Sequence, residues 1–348
     1  MKIAVFAYSR RGCQTAQRIV GLLYKEECRA YTMERFLAAL EGFSPIRKPS
    51  VSFYGEQFLW ADALIFVGSC GIAVRGIAPH VKDKTTDPAV LCVDELGTYV
   101  IPLLSGHIGG ANELARKLAV DLKAIPVITT ATDINHRFSV DTWAVKNGFA
   151  IGSMKASKMV SAKILEAAVP LVSDFPIVGT LPAGVIQGSA VYRRCPEAEV
   201  GIYITWKRIK PFGETLSLFP RVLHLGIGCR KGTDTAVIRE VVNQVFLDNQ
   251  IDQRAVCCVA SIDLKANERG LLEFCEGNKW PVKFYSAKEL QAVEGEFTPS
   301  EFVQNITGVD NVCERAALIG AKELLVKKTA MCGVTVAVAL EELEVCFE

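Results

Sequence analysis

Imidazole is scarce in this chain: 348 residues carry four histidines, His80, His107, His136 and His224. Charge of one sign is also missing, since 39 basic side chains meet 38 acidic ones for a formal net charge of +1. A protein that binds a phosphate backbone usually shows a basic excess or stripe, so nucleic acid is not an expected partner. No apolar run is long enough to span a bilayer. The longest weakly charged stretch, Phe175 to Tyr192, is broken by Pro176, Gly179, Pro182, Gly184 and Gly188, which argues against a membrane helix and a membrane partner. A G-x-x-x-x-G-K-[ST] loop and a G-x-G-x-x-G turn are both absent, so the usual nucleotide cradles are not built. Fixed-period repeats and low-complexity tracts are missing too.

Cysteine is plentiful, at twelve, but never spaced as C-x-x-C, and Cys257 and Cys258 are adjacent. Zinc and redox templates therefore fail, and no metal site is expected. Lys2 to Tyr8 reads as a first strand rather than a secretory signal. Free, mostly buried thiols in a reduced cytoplasm are the resulting expectation.

What remains is an ordinary globular balance, half hydrophobic and 22% charged, long enough for two or three cores. The fold class expected is α/β and multi-domain: N-terminal and C-terminal α/β units with central sheets flanked by helices, joined by a small middle region. The boundaries read as 1–134, 135–220 and 221–348. In the first region, strands are expected at Lys2–Tyr8, Ala63–Gly68 and Pro126–Thr129, with helices at Cys13–Tyr24, through Ile72, Val74, Ile77 and Val81, and at Gly110–Leu122. Val90–Val93 and Tyr99–Leu104 should form a hairpin around Gly97. The middle region suggests a helix at Lys155–Ala168 and a strand at Val200–Thr205. In the last, strands are expected at Val222–Gly228, Ala255–Ala260 and Thr335–Leu340, with a helix running to Phe246 after the turn Gly226–Thr233.

Polar and glycine residues crowd four strand ends between Gly68 and Asp133: Gly68-Ser69, Asp94-Glu95, Ser105-Gly106-His107 and Thr129-Thr130. In an open α/β sheet, ligands sit beyond the carboxyl ends of strands, where such clustering would build a site. Gly106, Gly109 and Gly110 let backbone approach a ligand, and the helix they open offers bare N–H groups to an anion. His107 can move a proton near neutral pH. Asp94 or Glu95 could activate water, although paired acids in a hairpin turn are often only solvated. Arg75 could clamp a carboxylate, while Lys82 and Lys84 read as solvated charges. Gly226-Ile-Gly-Cys-Arg-Lys-Gly has one residue too many for a dinucleotide turn, yet with Arg230 and Lys231 it suits an anion nest. Cys229 has no histidine near it in sequence, so it is not an expected nucleophile. His136 and His224 read as structural.

These residues resemble a known family. Gly71-Ile72, Arg75, Ala78-Pro79, Lys84, Asp87 to Val90, Asp94-Glu95, Leu103 to His107, Gly109 to Asn112 and Pro126 to Thr130 are similar to the cobalt-precorrin-5A hydrolases of anaerobic cobalamin biosynthesis. Gly226 to Thr233 and Val334 to Ala339 resemble that family's last domain. The resemblance implies a substrate that is a cobalt-bearing, ring-contracted tetrapyrrole. Its ring-A acetate closes a δ-lactone onto the extruded C20 carbon; water opens the lactone, and C20 leaves with its methyl as acetaldehyde, giving cobalt-precorrin-5B. Cobalt travels with the substrate, so no cofactor is implied.

On that reading the expected catalytic set is His107, Asp94, Glu95 and Ser105. The expected substrate-binding set is Arg75, Gly106, Gly109, Gly110, Asn112, Gly228, Arg230 and Lys231. A homodimer and transient contacts with neighbouring pathway enzymes are compatible with it. Two alternatives stay open: a non-catalytic tetrapyrrole carrier, which would not need His107, and a nucleotide-dependent enzyme using the glycine turns for phosphate.

Overall fold

Strand β1 (Lys2–Ala7) is apolar from Ile3 onward, and residues 3 to 7 are wholly buried. A continuous apolar run of this kind belongs to a parallel strand covered on both faces. The computed structural model describes residues 1–83, 85–188 and 199–347; Lys84, Cys195 and the end of the Phe175–Tyr192 stretch lie outside them. Contacts divide the chain into two units, Met1–Thr142 and Trp143–Glu348.

In the first unit, β1 is followed by α1 (Arg10–Leu22), whose N-cap Ser9 accepts a hydrogen bond from the Gly12 amide at 3.0 Å. Then come β2 (Glu27–Thr32), β3 (Phe43–Pro45), α2 (Ser50–Trp60), β4 (Ala63–Val67) and α3 (Cys70–Ile77). Next are β5 (Ala89–Val93), β6 (Tyr99–Leu104), α4 (Ala111–Leu122), β7 (Ile125–Pro126), α5 (Ala131–Ile134) and α6 (Val140–Lys146), which crosses the unit boundary. The sheet order is β3-β2-β1-β4-β5-β6-β7. β1 to β5 run parallel, and β6 reverses against β5 in the expected hairpin. One face packs Ile3, Val5, Ile65 and Leu91 with Ile19, Leu114 and Leu118. The other packs Phe6 and Phe66 with Phe53, Tyr54 and Phe58. Two expectations need trimming. The helix expected through Val81 ends at Ile77, because Pro79 brings no N–H to continue it. The strand expected at Pro126–Thr129 is only Ile125–Pro126, extended by one bond from the Val127 amide to the Val100 carbonyl at 2.9 Å.

The second unit contains two five-stranded sheets and one two-stranded sheet. Its elements begin with β8 (Ala150–Ile151), α7 (Met154–Glu166), β9 (Val169–Ser173), β10 (Ile177–Val178), β11 (Val185–Gln187), β12 (Val200–Ile204) and β13 (Glu214–Phe219). Five of these strands form one sheet in the order β11-β9-β12-β13-β8. β14 (Leu223–Cys229), α8 (Thr235–Asp248), β15 (Val256–Ile262), α9 (Arg269–Asn278), β16 (Val282–Tyr285), α10 (Ala287–Gln291), α11 (Glu301–Thr307) and α12 (Val312–Leu318) follow. β17 (Glu323–Met331), β18 (Val334–Leu340) and β19 (Val345–Cys346) complete it. The second sheet runs β16-β15-β14-β18-β17, with β18 antiparallel to β14. β19 returns to pair with β10 as a separate two-stranded sheet, and Arg254 donates to the Gly152 carbonyl at 2.8 Å, which links the segments of the two larger sheets.

Gly226 is not a turn residue. It lies inside β14, where a Cβ would sit 1.7 Å from the Cys313 carbonyl oxygen of α12. The glycine is needed for close helix–sheet packing, and the turn proper falls at residues 230–234, with Asp234 capping α8 through the Ala236 amide at 2.7 Å. Among the described residues no helix is long and apolar enough to cross a membrane.

Candidate active site

The loop between β6 and α4 folds back on itself. Ser105 adopts a left-handed φ of 56°, uncommon for a residue with a side chain, and its hydroxyl donates to the Asp87 carbonyl at 2.9 Å. Gly110 takes φ 79° as the helix N-cap, and its amide donates to the His107 carbonyl at 2.8 Å. The first helical amides are already used: Ala111 donates to the Ser105 carbonyl at 3.1 Å and Asn112 to the Gly106 carbonyl at 3.0 Å. The expectation that this helix end presents bare amides to an anion is therefore narrowed, since its first two amides are taken. The amides that remain without a partner among the described residues belong to Gly106, His107, Ile108 and Gly109 in the loop and to Glu113 in the first helical turn.

That loop delivers His107 to a carboxylate. The His107 Nε2 lies 3.1 Å from Asp133 Oδ2 and 3.1 Å from Thr132 Oγ1, and its Nδ1 is 3.7 Å from Asp141 Oδ1. Asp133 is held from every side. Asn112, which is buried, donates to it at 2.9 Å and to Thr130 at 2.9 Å, while Thr130 and Arg116 also donate to Asp133. Burial pushes the Asp133 carboxyl up, but the hydrogen bonds from Thr130, Arg116 and His107 outweigh it and hold it at about 2. Asp133 is thus ionised throughout the neutral range. The Nε2 that faces it carries a hydrogen, which leaves Nδ1 to take a proton. Asp133, Arg116 and Asp141 were not singled out from sequence. Thr130-x-x-Asp133 at the end of the motif segment was a usable signal; Asp141 had none.

Asp94 and Glu95 do not join His107. β5 and β6 are antiparallel, with Val93 opposite Val100 and Val90 opposite Leu104, so their carboxyl ends lie at opposite edges of the sheet. Six strand residues separate the two groups by roughly 20 Å. Asp94 is used by the turn, accepting from the Thr98 and Tyr99 amides at 2.7 and 2.6 Å. Glu95 accepts from Ser9 at 2.6 Å. The clustering of four strand ends at one edge is corrected accordingly: Gly68-Ser69 and Asp94-Glu95 share one edge, Ser105 to His107 and Thr130 the other. Arg75 is exposed near the end of α3, its guanidinium folded back towards Gly71, and makes no ion pair among the described residues.

In the second unit, Gly228, Arg230 and Lys231 line a cavity of about 620 Å³ beyond the carboxyl end of β14. Lys265 and Lys328, not anticipated from sequence, add cations to its wall, Lys265 being paired with Glu268 at 3.0 Å. Arg230 and Lys231 are exposed and form no ion pair among the described residues. Cys229 also faces the cavity, but burial raises its thiol, consistent with its exclusion as a nucleophile.

The fold and sites define a class: a multi-sheet α/β protein with a carboxylate-held histidine in one unit and a cation-lined cavity in the other. Residues 52–133 match the family model for the cobalamin synthesis G N-terminal region, and residues 223–339 that for the cobalamin synthesis G C-terminus. A cobalt-precorrin-5A hydrolase of Priestia megaterium is 33% identical over 97% of this chain and 94% of its own. A cobalt-precorrin-5A hydrolase of Salmonella typhimurium is 32% identical over 97% of each chain. The crystal structure of a cobalamin biosynthesis protein G homologue from Sulfolobus solfataricus aligns with 98% of this chain and 97% of its own, at 21% identity and a TM-score of 0.40. The chain belongs to the cobalamin synthesis G family.

Proposed function

We propose that this protein hydrolyses cobalt-precorrin-5A, opening its δ-lactone and releasing C20 with its methyl as acetaldehyde to give cobalt-precorrin-5B. The observation that carries this reading is the likeness, over nearly the whole of both chains, to two relatives named for that activity. The reaction needs a water made nucleophilic, donors for the oxyanion formed at the lactone carbonyl, and proton transfer as the C20 alcohol departs as an aldehyde. His107 serves as the proton-transferring group through Nδ1, with Asp133 as a positioning residue that fixes Nε2–H. The unpartnered loop amides of Gly106 to Gly109 supply the donors for the oxyanion. Arg75, and Arg230 and Lys231 at the cavity, hold substrate carboxylates.

The chemistry calls for no cofactor, because cobalt arrives within the substrate. We place the enzyme in the cytoplasm, as a homodimer with transient contacts to neighbouring pathway enzymes. The test is single-turnover release of acetaldehyde from cobalt-precorrin-5A alongside spectroscopic titration of the tetrapyrrole. Acetaldehyde formed at the rate of substrate loss supports the reading. Tight binding without acetaldehyde would leave only the carrier.

A further inference from the structure

At the amino end of β14, away from the cavity, the sheet gathers a second set of reactive groups. Strand β14 pairs with β15 through an irregularity: Leu223 lies opposite Val256, but His224 lies opposite Cys258. Cys257 is the extra residue. Such a bulge places two successive residues against one partner, and here both thiols meet the same imidazole. A ring nitrogen of His224 and the Sγ atoms of Cys257 and Cys258 all lie within 4.8 Å of one another. His224 and Cys258 are buried, and Cys257 is half-buried.

Two further contacts define the imidazole. Its Nδ1 is 3.2 Å from the Ile319 carbonyl, which can only accept, so that nitrogen carries the hydrogen. Its Nε2 is the nitrogen left to take a proton or a metal ion, and it meets the Glu341 carboxylate. Glu341 is positioned by its own amide, which donates to the Val222 carbonyl at 2.9 Å. Burial, with the Glu341 carboxylate nearby, pushes the Cys257 thiol up. A backbone carbonyl behind Nδ1–H is the usual support of a metal-ligating histidine.

We propose that His224 Nε2, Cys257 Sγ, Cys258 Sγ and the Glu341 carboxylate bind one Zn²⁺. Two sulfurs, one imidazole and one carboxylate are a borderline-soft set that suits tetrahedral zinc. With ordinary zinc–ligand lengths the tetrahedron edges are about 3.3–3.8 Å, so the imidazole and the two thiols close by up to about an ångström, while Nε2 and the Glu341 carboxylate part to admit the ion. Two thiolates, one carboxylate and Zn²⁺ leave a net charge of −1, and Lys283 lies near enough to act on both thiols and balance it. His224 is four residues from Gly228 along β14, about 13 Å. The ion would therefore tie β14, β15 and the end of β18 together without entering the cavity, and its role is structural. The ligands stand at positions 224, 257, 258 and 341, which is why spacing templates find no motif.

The test uses the full chain, stripped by a chelator and titrated with Zn²⁺ alone by calorimetry, and then with Co²⁺ as a spectroscopic probe without tetrapyrrole. One equivalent of zinc, bound more tightly than micromolar, is expected, with a thiolate-to-cobalt charge-transfer band. Cys258→Ser should cut the band to about half or less at saturating cobalt and weaken zinc by at least the roughly hundred-fold that loss of a supporting partner can cost. Cys346→Ser, an exposed cysteine elsewhere, should change neither. If Cys258→Ser does not fold, Glu341→Gln decides, with zinc weakened about ten-fold or more. A folded chain that takes up no stoichiometric zinc, or uptake unaltered by Cys258→Ser or Glu341→Gln, overturns the proposal. These readouts do not depend on the hydrolase reaction.

Discussion

Replacing Asp133 by asparagine tests the most specific part of the site. The substitution keeps the size of the side chain and removes its charge. Asn112, Thr130 and Arg116 all donate to Asp133, so an amide there leaves donors facing a weaker acceptor. More important, an amide can turn its NH₂ towards Nε2 of His107, which favours the opposite tautomer and puts the hydrogen on Nδ1, where a proton must be accepted. Loss of an orienting carboxylate with the geometry otherwise intact should lower turnover by about 10²–10⁴-fold. Tetrapyrrole affinity should barely change. Single-turnover acetaldehyde release and spectroscopic titration separate the two effects.

The same variant carries a stability signature. Holding the Asp133 carboxyl down from 3.8 to about 2 corresponds to at most about 2.5 kcal/mol of preference for the ionised form. Water at this partly open site reduces that to about 1 kcal/mol. Because the folded-state value is depressed, the contribution is fully present above the unfolded value near 4 and is lost as the pH falls towards 2. In urea denaturation the parent should exceed Asp133→Asn at neutral pH, and the gap should close between about pH 4 and 2. Ordinary turnover in Asp133→Asn would refute the positioning role, whatever the stability data show.

His107→Ala should lose about 10²–10⁴-fold in acetaldehyde release while binding substrate nearly as before, and full activity would remove it from the mechanism. Arg75→Ala and Arg230→Ala should each weaken tetrapyrrole binding by about ten- to a hundred-fold with the fold intact by circular dichroism, and an unchanged dissociation constant would sink that clamp. Gly226→Ala should destabilise by about 3 kcal/mol or more, since its Cβ would enter the Cys313 carbonyl; urea denaturation at the parent's midpoint would refute the close-packing argument.

Much of the first unit was legible because its signals are local. Wholly apolar runs at Ile3–Ala7 and Ala63–Val67 announce parallel strands, and Leu114, Leu118 and Leu122 mark the buried face of α4. The hairpin is legible from its glycine turn, but its consequence for the site depends on which edge each strand end reaches. A hairpin reverses the chain, so Asp94 and Glu95 at one strand's end cannot meet His107 at the next one's end. Parallel-sheet logic, in which successive strand ends share an edge, holds for β1 to β5 and fails at β6.

Local reading also explains which residues escaped. His107, Gly110 and Asn112 stand within six positions and declare themselves together. Asp133 reaches His107 only because β7 lies parallel to β6, bringing Thr130 and the start of α5 to the same edge. A carboxylate placed by such pairing looks, in one dimension, like any acid early in a short helix. Gly226 shows the reverse error: a glycine that resembles a ligand-binding turn is required by a helix backbone crossing its strand. The same physics underlies both cases. Strand pairing converts residues tens of positions apart into neighbours, and the contacts that give a side chain its role here come from that pairing rather than from the motif in which it sits.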